Sequence, residues 1–294
     1  MIDFREMGSA LSGIPVENMP PYPDLPEPQL TAVHKPVDEL TVGLIASLGA
    51  HAPGQPSLGR TNDLSFRTID RSIPTSELAF DHVTPARFWA DIDMNVAFPR
   101  DRMAELEAEG FIGALAPTAI SFLGSISLWD RLATEMAPAI KDALDAEGVE
   151  LALLVPFCPQ CHQATMVLAR ALEARGMPTL MFSVFRDLAD SYKPPRTAFV
   201  ENYPLGAPCG RVNDPEHQRA TIRAAFDAVP LDIESRQLVG MDMQYQEDGG
   251  RDWLETTLQH YRDRFDVVIE NGVTHNTSEP LIGREEEFSI TCAC

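Results

Sequence analysis

With 294 residues, 44% of them apolar, the chain has enough material to bury one large core or two modest ones, so a folded globular protein is expected. Its 44 acidic and 23 basic residues give a formal charge of −21, a surface that repels phosphate backbones and anionic lipid and excludes nucleic acid and membrane as expected partners. The opening 30 residues hold no apolar core of signal-peptide length and no later run approaches the roughly 20 apolar residues of a span, so the expected compartment is the cytoplasm.

Residues 1–39 are proline-rich, with PPYPDLPEP at 20–28, and read as an irregular arm. The run LTVGLIASLGAH at 40–51 predicts a buried strand opening into a loop, which makes His51 a candidate acid or base by position. Residues 52–98 carry turn formers without sustained periodicity and predict a long, loop-rich insertion. Helices are predicted over 100–109 and over 129–148, the second ending at Gly148. VELALLVPF at 149–157 has the length and composition of a buried strand. After it Ala164, Val167, Leu168, Ala171 and Leu172 fall on one helix face that stops at Gly176, and MPTLMFSVF at 177–185 supplies another buried strand. Strand, helix and strand in so short a span predict a parallel crossover, and with it a three-layer α/β fold: a Rossmann-like or flavodoxin-like parallel sheet with helices on both faces. The expected organisation is the arm, an α/β domain over 40–229, and a C-terminal extension over 230–294 whose 248–272 segment predicts a helix and then a strand. A homo-oligomer is expected.

The stretch FCPQCHQ at 157–163 sits between the predicted strand and helix, where open parallel sheets hold their ligands. As text it is a haem-attachment pentapeptide, half of a zinc site, two inert buried thiols or a redox pair. Haem attachment is an extracytoplasmic process, and the second half of a zinc site is missing: beyond Cys158 and Cys161 there are Cys209 and a terminal Cys292-Ala293-Cys294. A redox pair is the reading the position favours. Cys158 would be the N-cap and Pro159 the first helical residue, so the helix amides and dipole would favour thiolate at Cys158, the nucleophile. Cys161, one turn on, would close a disulfide on whatever Cys158 forms. His162 would supply positive charge or a proton and Gln163 a hydrogen bond to substrate. No metal and no bound cofactor are expected, and the reductant would be an external dithiol or a thioredoxin-like protein. A broad thiol–disulfide oxidoreductase or redox sensor, and a metal-binding protein using Cys158, Cys161, His162 and the tail cysteines, are the competing readings. Cys292 and Cys294 are candidates for a swinging redox relay.

Wider blocks carry a resemblance. LLVPFCPQCHQATMVLARALEARGMPTLMFSVFRDLADSYKPPRTAFVENYPLGAPCG at 153–210, with GLIASLGAH, DIDMNVAFPRDRMAELEAEGFIGALAP and SFLGSI upstream in the same order, resembles the selenoprotein B family of glycine, sarcosine, betaine and D-proline reductases. In that family the position of Cys158 often holds selenocysteine. The resemblance implies reductive cleavage of a carbon–nitrogen bond in a small molecule that a separate pyruvoyl-bearing subunit activates; this chain has no candidate for making that group itself. Sulfur for selenium implies a slower reaction or an easier substrate. In the segment LAFDHVTPARFW, 78–89, only His82 remains where relatives carry a histidine-rich stretch. Arg186, beside Asp187, and Arg196, in KPPR, follow the second strand and would grip a substrate carboxylate, the alternative being a surface ion pair of Arg186 with Asp190.

Overall fold

In the computed structural model, residues 4–5, 15–18, 22–84, 86–233, 235–253 and 255–256 are described, with the strands at 267–270 and 273–276. In chain order the elements are β1 (Thr41–Ala46), β2 (Ala50–His51), β3 (Phe66–Asp70), β4 (Ala79–Phe80), α1 (Arg87–Ile92), α2 (Arg100–Ala108), β5 (Ala114–Leu115), β6 (Thr118–Phe122), α3 (Trp129–Arg131) and α4 (Ala137–Ala146). They continue with β7 (Leu151–Val155), α5 (Pro159–Glu173), β8 (Thr179–Ser183), α6 (Arg186–Tyr192), β9 (Arg196–Phe199), α7 (Pro215–Ala228) and β10 (Gln237–Gly240). A two-stranded antiparallel pair, β11 (Val267–Glu270) and β12 (Val273–Asn276), follows.

The apolar runs become the middle of one eight-stranded sheet, ordered β10-β9-β8-β7-β1-β6-β3 with β5 beside β1. Strands buried on both faces lose the alternation of a half-exposed strand, which is why β7 and β8 read as continuous apolar runs and are buried at every position. All pairings in this sheet are parallel except that of β3 with β6. Helix α2 packs against α7, and α5 against α4 and α6, giving the expected three layers. No helix among the described residues is long and apolar enough to cross a membrane.

Four segments depart from the sequence-based expectation or add to it. The stretch 52–98 is not wholly loop. It contributes β3 to the sheet edge and the β2–β4 ribbon, Ala50 pairing with Phe80 and His51 with Ala79. On β3 only Ile69 is buried, so the strand carries almost no apolar pattern to detect. The helix over 129–148 is interrupted by a π-helical turn, Leu132–Met136, just ahead of Pro138. Proline lacks the amide a regular helix needs there, and its ring would strike the preceding turn; the wider turn relieves both. The proline-rich arm is irregular from residue 22 to residue 34, yet it is tied down: Thr31 N donates to Glu173 Oε2 at 2.7 Å and Val33 N to Leu231 O at 2.8 Å. At the other end of the domain β10, within 230–294, pairs with β9 and belongs to the same sheet.

The position of β1 sets the site. After β1 the chain builds β3, β5 and β6 on one side, then crosses to β7 on the other and continues outward through β8 to β10. Such a reversal opens a crevice at the carboxyl ends of the strands on either side of it. Ser47, directly after β1, knits these ends together. Its amide donates to Val155 O at 3.2 Å, its carbonyl accepts from Gly124 N at 3.0 Å, and its Oγ accepts from Phe157 N at 3.0 Å.

Candidate active site

Cys158 follows β7 at this crevice and caps α5. Its backbone is extended, φ −98° and ψ 178°, and Pro159 occupies the first turn, where a missing amide costs nothing. The Cys161 amide donates to Cys158 Sγ at 3.1 Å, a bond that strengthens when the sulfur carries negative charge. Cys161 differs in kind: its Sγ–H points at Ser47 O, 3.5 Å away. Toward the backbone, Cys158 Sγ is thus an acceptor while Cys161 Sγ is a donor. Both are fully buried free thiols.

The cover over the pair comes from 79–84, a stretch in which only the isolated His82 stood out in the sequence. His82 is 2% exposed and places Nε2 at 3.2 Å from Cys161 Sγ. Its ring meets Phe157 edge-on at 5.6 Å, and the Phe80 ring also meets Phe157 edge-on, at 6.0 Å. Arg87 donates to His82 O at 3.1 Å while its guanidinium lies 4.6 Å from the Phe80 ring centroid. What the sequence does not reveal is the β2–β4 ribbon, which carries His82 from 79 residues away onto Cys161. Gly206, in the YPLG motif, has φ +89°, and a Cβ there would lie 2.5 Å from Ala86 O. Gly206 of the motif thus packs against Ala86, just after the cover.

Gly124 forms the floor. A Cβ at this position would come within 2.7 Å of Cys161 Sγ and 2.9 Å of its Cα. Gly124→Ala is expected to cost about 1–3 kcal/mol and to slow disulfide closure between Cys158 and Cys161 by displacing the second sulfur. Urea unfolding and quantitation of the disulfide check the two effects.

His162 takes a different part from the one its neighbourhood suggests. It is fully buried; Nδ1 donates to Cys158 O at 2.8 Å and Nε2 accepts from Val184 N at 3.4 Å, a pattern that requires the neutral ring. Burial pushes its pKa down to about 4. The positive charge expected of it is therefore absent near neutrality, and His162 anchors α5 to the end of β8. A histidine whose folded pKa is depressed contributes stability above its unfolded value near 6.5 and loses it as pH falls toward about 4. Wild type is expected to lose about 3 kcal/mol over that window through this group. His162→Asn should flatten that part of the stability–pH curve, as urea titrations at several pH values would show.

The two arginines part company. Arg186 opens α6 at the same edge of the sheet as Cys158, half-buried, its guanidinium 5.7 Å from the Phe199 ring centroid. Arg196 begins β9 and lies at the opposite edge, completely buried, bonded to Glu173 Oε1 at 2.6 Å and to the carbonyls of Thr31 and Ile233 at 2.8 Å each. This is a buried structural ion pair, not a grip on a ligand beside Cys158. The rest of KPPR is structural as well: Lys193 adopts φ +49° to end α6 and its Nζ bonds Asp24 at 2.9 Å. Asp187 accepts from the Phe4 amide at 3.1 Å and from Tyr22. His51 lies on the ribbon with Nε2 3.5 Å from Asp81 Oδ1, while its Nδ1 is buried without a hydrogen-bond partner. Gln163 is half-buried on the first turns of α5. Cys209 is buried elsewhere, and burial drives its thiol up. Cys292 and Cys294 lie outside the described residues.

His82, Cys158 and Cys161 are the one set of three soft ligand atoms among the described residues, all within 4.8 Å of one another. The ring orientation counts against a metal there. Thr84 N donates to His82 Nδ1 at 3.3 Å, which leaves the ring proton on Nε2, the nitrogen that would have to ligate.

Among curated proteins, the chain is 32% identical over 198 residues to D-proline reductase subunit gamma of Acetoanaerobium sticklandii, a match that covers 67% of this chain and 81% of that one. No family model and no solved structure matches. Extent and identity agree with the motif blocks read around Cys158, and the chain belongs to the selenoprotein B family of glycine, sarcosine, betaine and D-proline reductases.

Proposed function

We propose that the chain is the thiol-bearing subunit of a cytoplasmic reductase that cleaves a carbon–nitrogen bond in an amino-acid-like or other nitrogen-containing small molecule. The observation that carries this reading is the N-cap geometry, with Cys158 Sγ accepting the Cys161 amide and Cys161 one turn on; the name of its relative, a reductase subunit acting on D-proline, supports it. Cys158 sulfur attacks the substrate carbon, the C–N bond breaks with its electron pair on nitrogen, and nitrogen takes a proton. Cys161 then attacks Cys158 Sγ, an S–S bond forms, and the departing carbon is protonated. The two thiols supply the two electrons; a small external dithiol restores them directly, and a thioredoxin-like protein restores them through the Cys292 and Cys294 relay. Activation of the substrate nitrogen falls to a pyruvoyl group on a partner subunit; this chain's residues supply the sulfurs and the enclosure. Admission of the substrate requires the His82 cover to move.

The competing reading as a broad thiol–disulfide oxidoreductase fares worse, since a pair with no exposed surface is closed to protein disulfides. The test is trapping: with Cys161→Ser, mass spectrometry after incubation with the partner subunit and a panel of amines and N-heterocycles should find a covalent adduct on Cys158, while wild type should not reduce insulin. No adduct across the panel, or insulin reduction at an oxidoreductase's rate, overturns the proposal. Truncation after Thr291 examines the tail: loss of turnover with a protein reductant but not with a small dithiol is expected of a relay, and equal loss with both refutes it.

A further inference from the structure

The enclosure holds a group that no step above uses. We infer that His82 is a catalytic residue of the resolving step, its Nε2–H holding the thiolate that forms at Cys161; this rests on the reading of Cys158 as nucleophile.

The inference follows from three hydrogen bonds. Thr84 N–H points at His82 Nδ1, so Nδ1 is an acceptor and the proton sits on Nε2. Nε2–H points at Cys161 Sγ at 3.2 Å. Cys161 S–H in turn points at Ser47 O. In the resting pair Cys161 is then a thiol that donates to Ser47 and accepts from His82, while Cys158 accepts the helix amide. Two thiolates so close would repel each other, so Cys161 keeps its proton until Cys158 is alkylated and neutral.

The proton balance follows. Attack by Cys158 breaks the C–N bond, and the departing nitrogen takes the Cys161 proton. This leaves Cys161 as a thiolate facing Ser47 O, a contact that repels. The His82 N–H offsets that repulsion and keeps the sulfur aimed at Cys158 until it attacks, forms the disulfide and expels the carbon, which is protonated from solvent. The other ionisable groups facing the pair from its surrounding elements do not replace His82: His162 is held neutral with its ring turned to Cys158 O and Val184 N, and Arg87 is committed to the His82 carbonyl and Asp91.

A small thiosulfonate tests this without substrate or partner. The full-length chain carrying Cys292→Ser and Cys294→Ser is pulsed with methyl methanethiosulfonate, quenched and analysed by mass spectrometry. Cys158 first gains a methylthio group with loss of methanesulfinate; Cys161 then displaces methanethiolate to give the disulfide. For His82→Phe, which keeps a ring against Phe157, the first phase should change less than about twofold, while the second slows about tenfold and its pH midpoint rises by about one unit. His82→Gln, which retains an N–H donor, should restore most of the second rate. An unchanged second phase in His82→Phe, or equal slowing of both phases, overturns the inference and leaves the nucleophile standing. Absence of the Cys158 adduct in the parent chain overturns the nucleophile, and this inference falls with it.

Discussion

Cys158→Ser is expected to lower substrate-dependent turnover by ~10³-fold or more while leaving the fold intact, whereas Cys161→Ser should still form the first covalent adduct and then stall. The difference arises because Cys158 takes the amide at the helix start while Cys161 donates to Ser47 O. A hydroxyl fits the N-cap as well as a sulfur does, so loss of activity in Cys158→Ser reflects chemistry and not a lost cap. Turnover measured beside circular dichroism and urea unfolding separates the two. Comparable residual activity in both serine variants would contradict the division of labour.

The second large effect is on stability. Glu173→Ala should destabilise the protein by about 3–5 kcal/mol, because it leaves Arg196 charged and uncompensated in the interior. Burial alone drives Glu173 up and Arg196 down, and their attraction offsets only part of that cost, so the pair survives through its surroundings. Glu173 also accepts from the amides of Thr31 and Thr179, at 2.7 Å each, which links the arm, α5 and β8 through one carboxylate. Replacing both partners at once, Glu173→Leu with Arg196→Met, should recover much of the loss. Arg196→Lys distinguishes this role from substrate binding: reduced urea stability with KM unchanged is expected, and raised KM at undiminished stability would return Arg196 to the substrate.

The parts of this fold written in local patterns were legible in the sequence. The runs at 149–157 and 177–185 and the helix face between them announce the crossover, and Cys158 followed by proline announces the cap, because a strand end, an N-cap and a first-turn proline are all properties of neighbouring residues. Long-range features were not. Strand β9 opens with Arg196 and Thr197, the arginine held inside by the distant Glu173 and the carbonyls of Thr31 and Ile233, so the run does not read as a core strand. His82 shows no periodicity and no motif that would connect it with a cysteine 79 residues later; only the ribbon folding over the strand ends does so. His162 misleads in the opposite sense. Adjacency to a CxxC suggests charge, while burial and two backbone partners fix the ring as neutral.

The central claim, that backbone dipoles at the start of α5 hold Cys158 as an anion, is tested most directly by the rate of iodoacetamide labelling at Cys158 against pH, followed by peptide mass spectrometry in Cys161→Ser. A midpoint well below the ~8.5 of an ordinary thiol is predicted; a midpoint at or above that value would contradict the account.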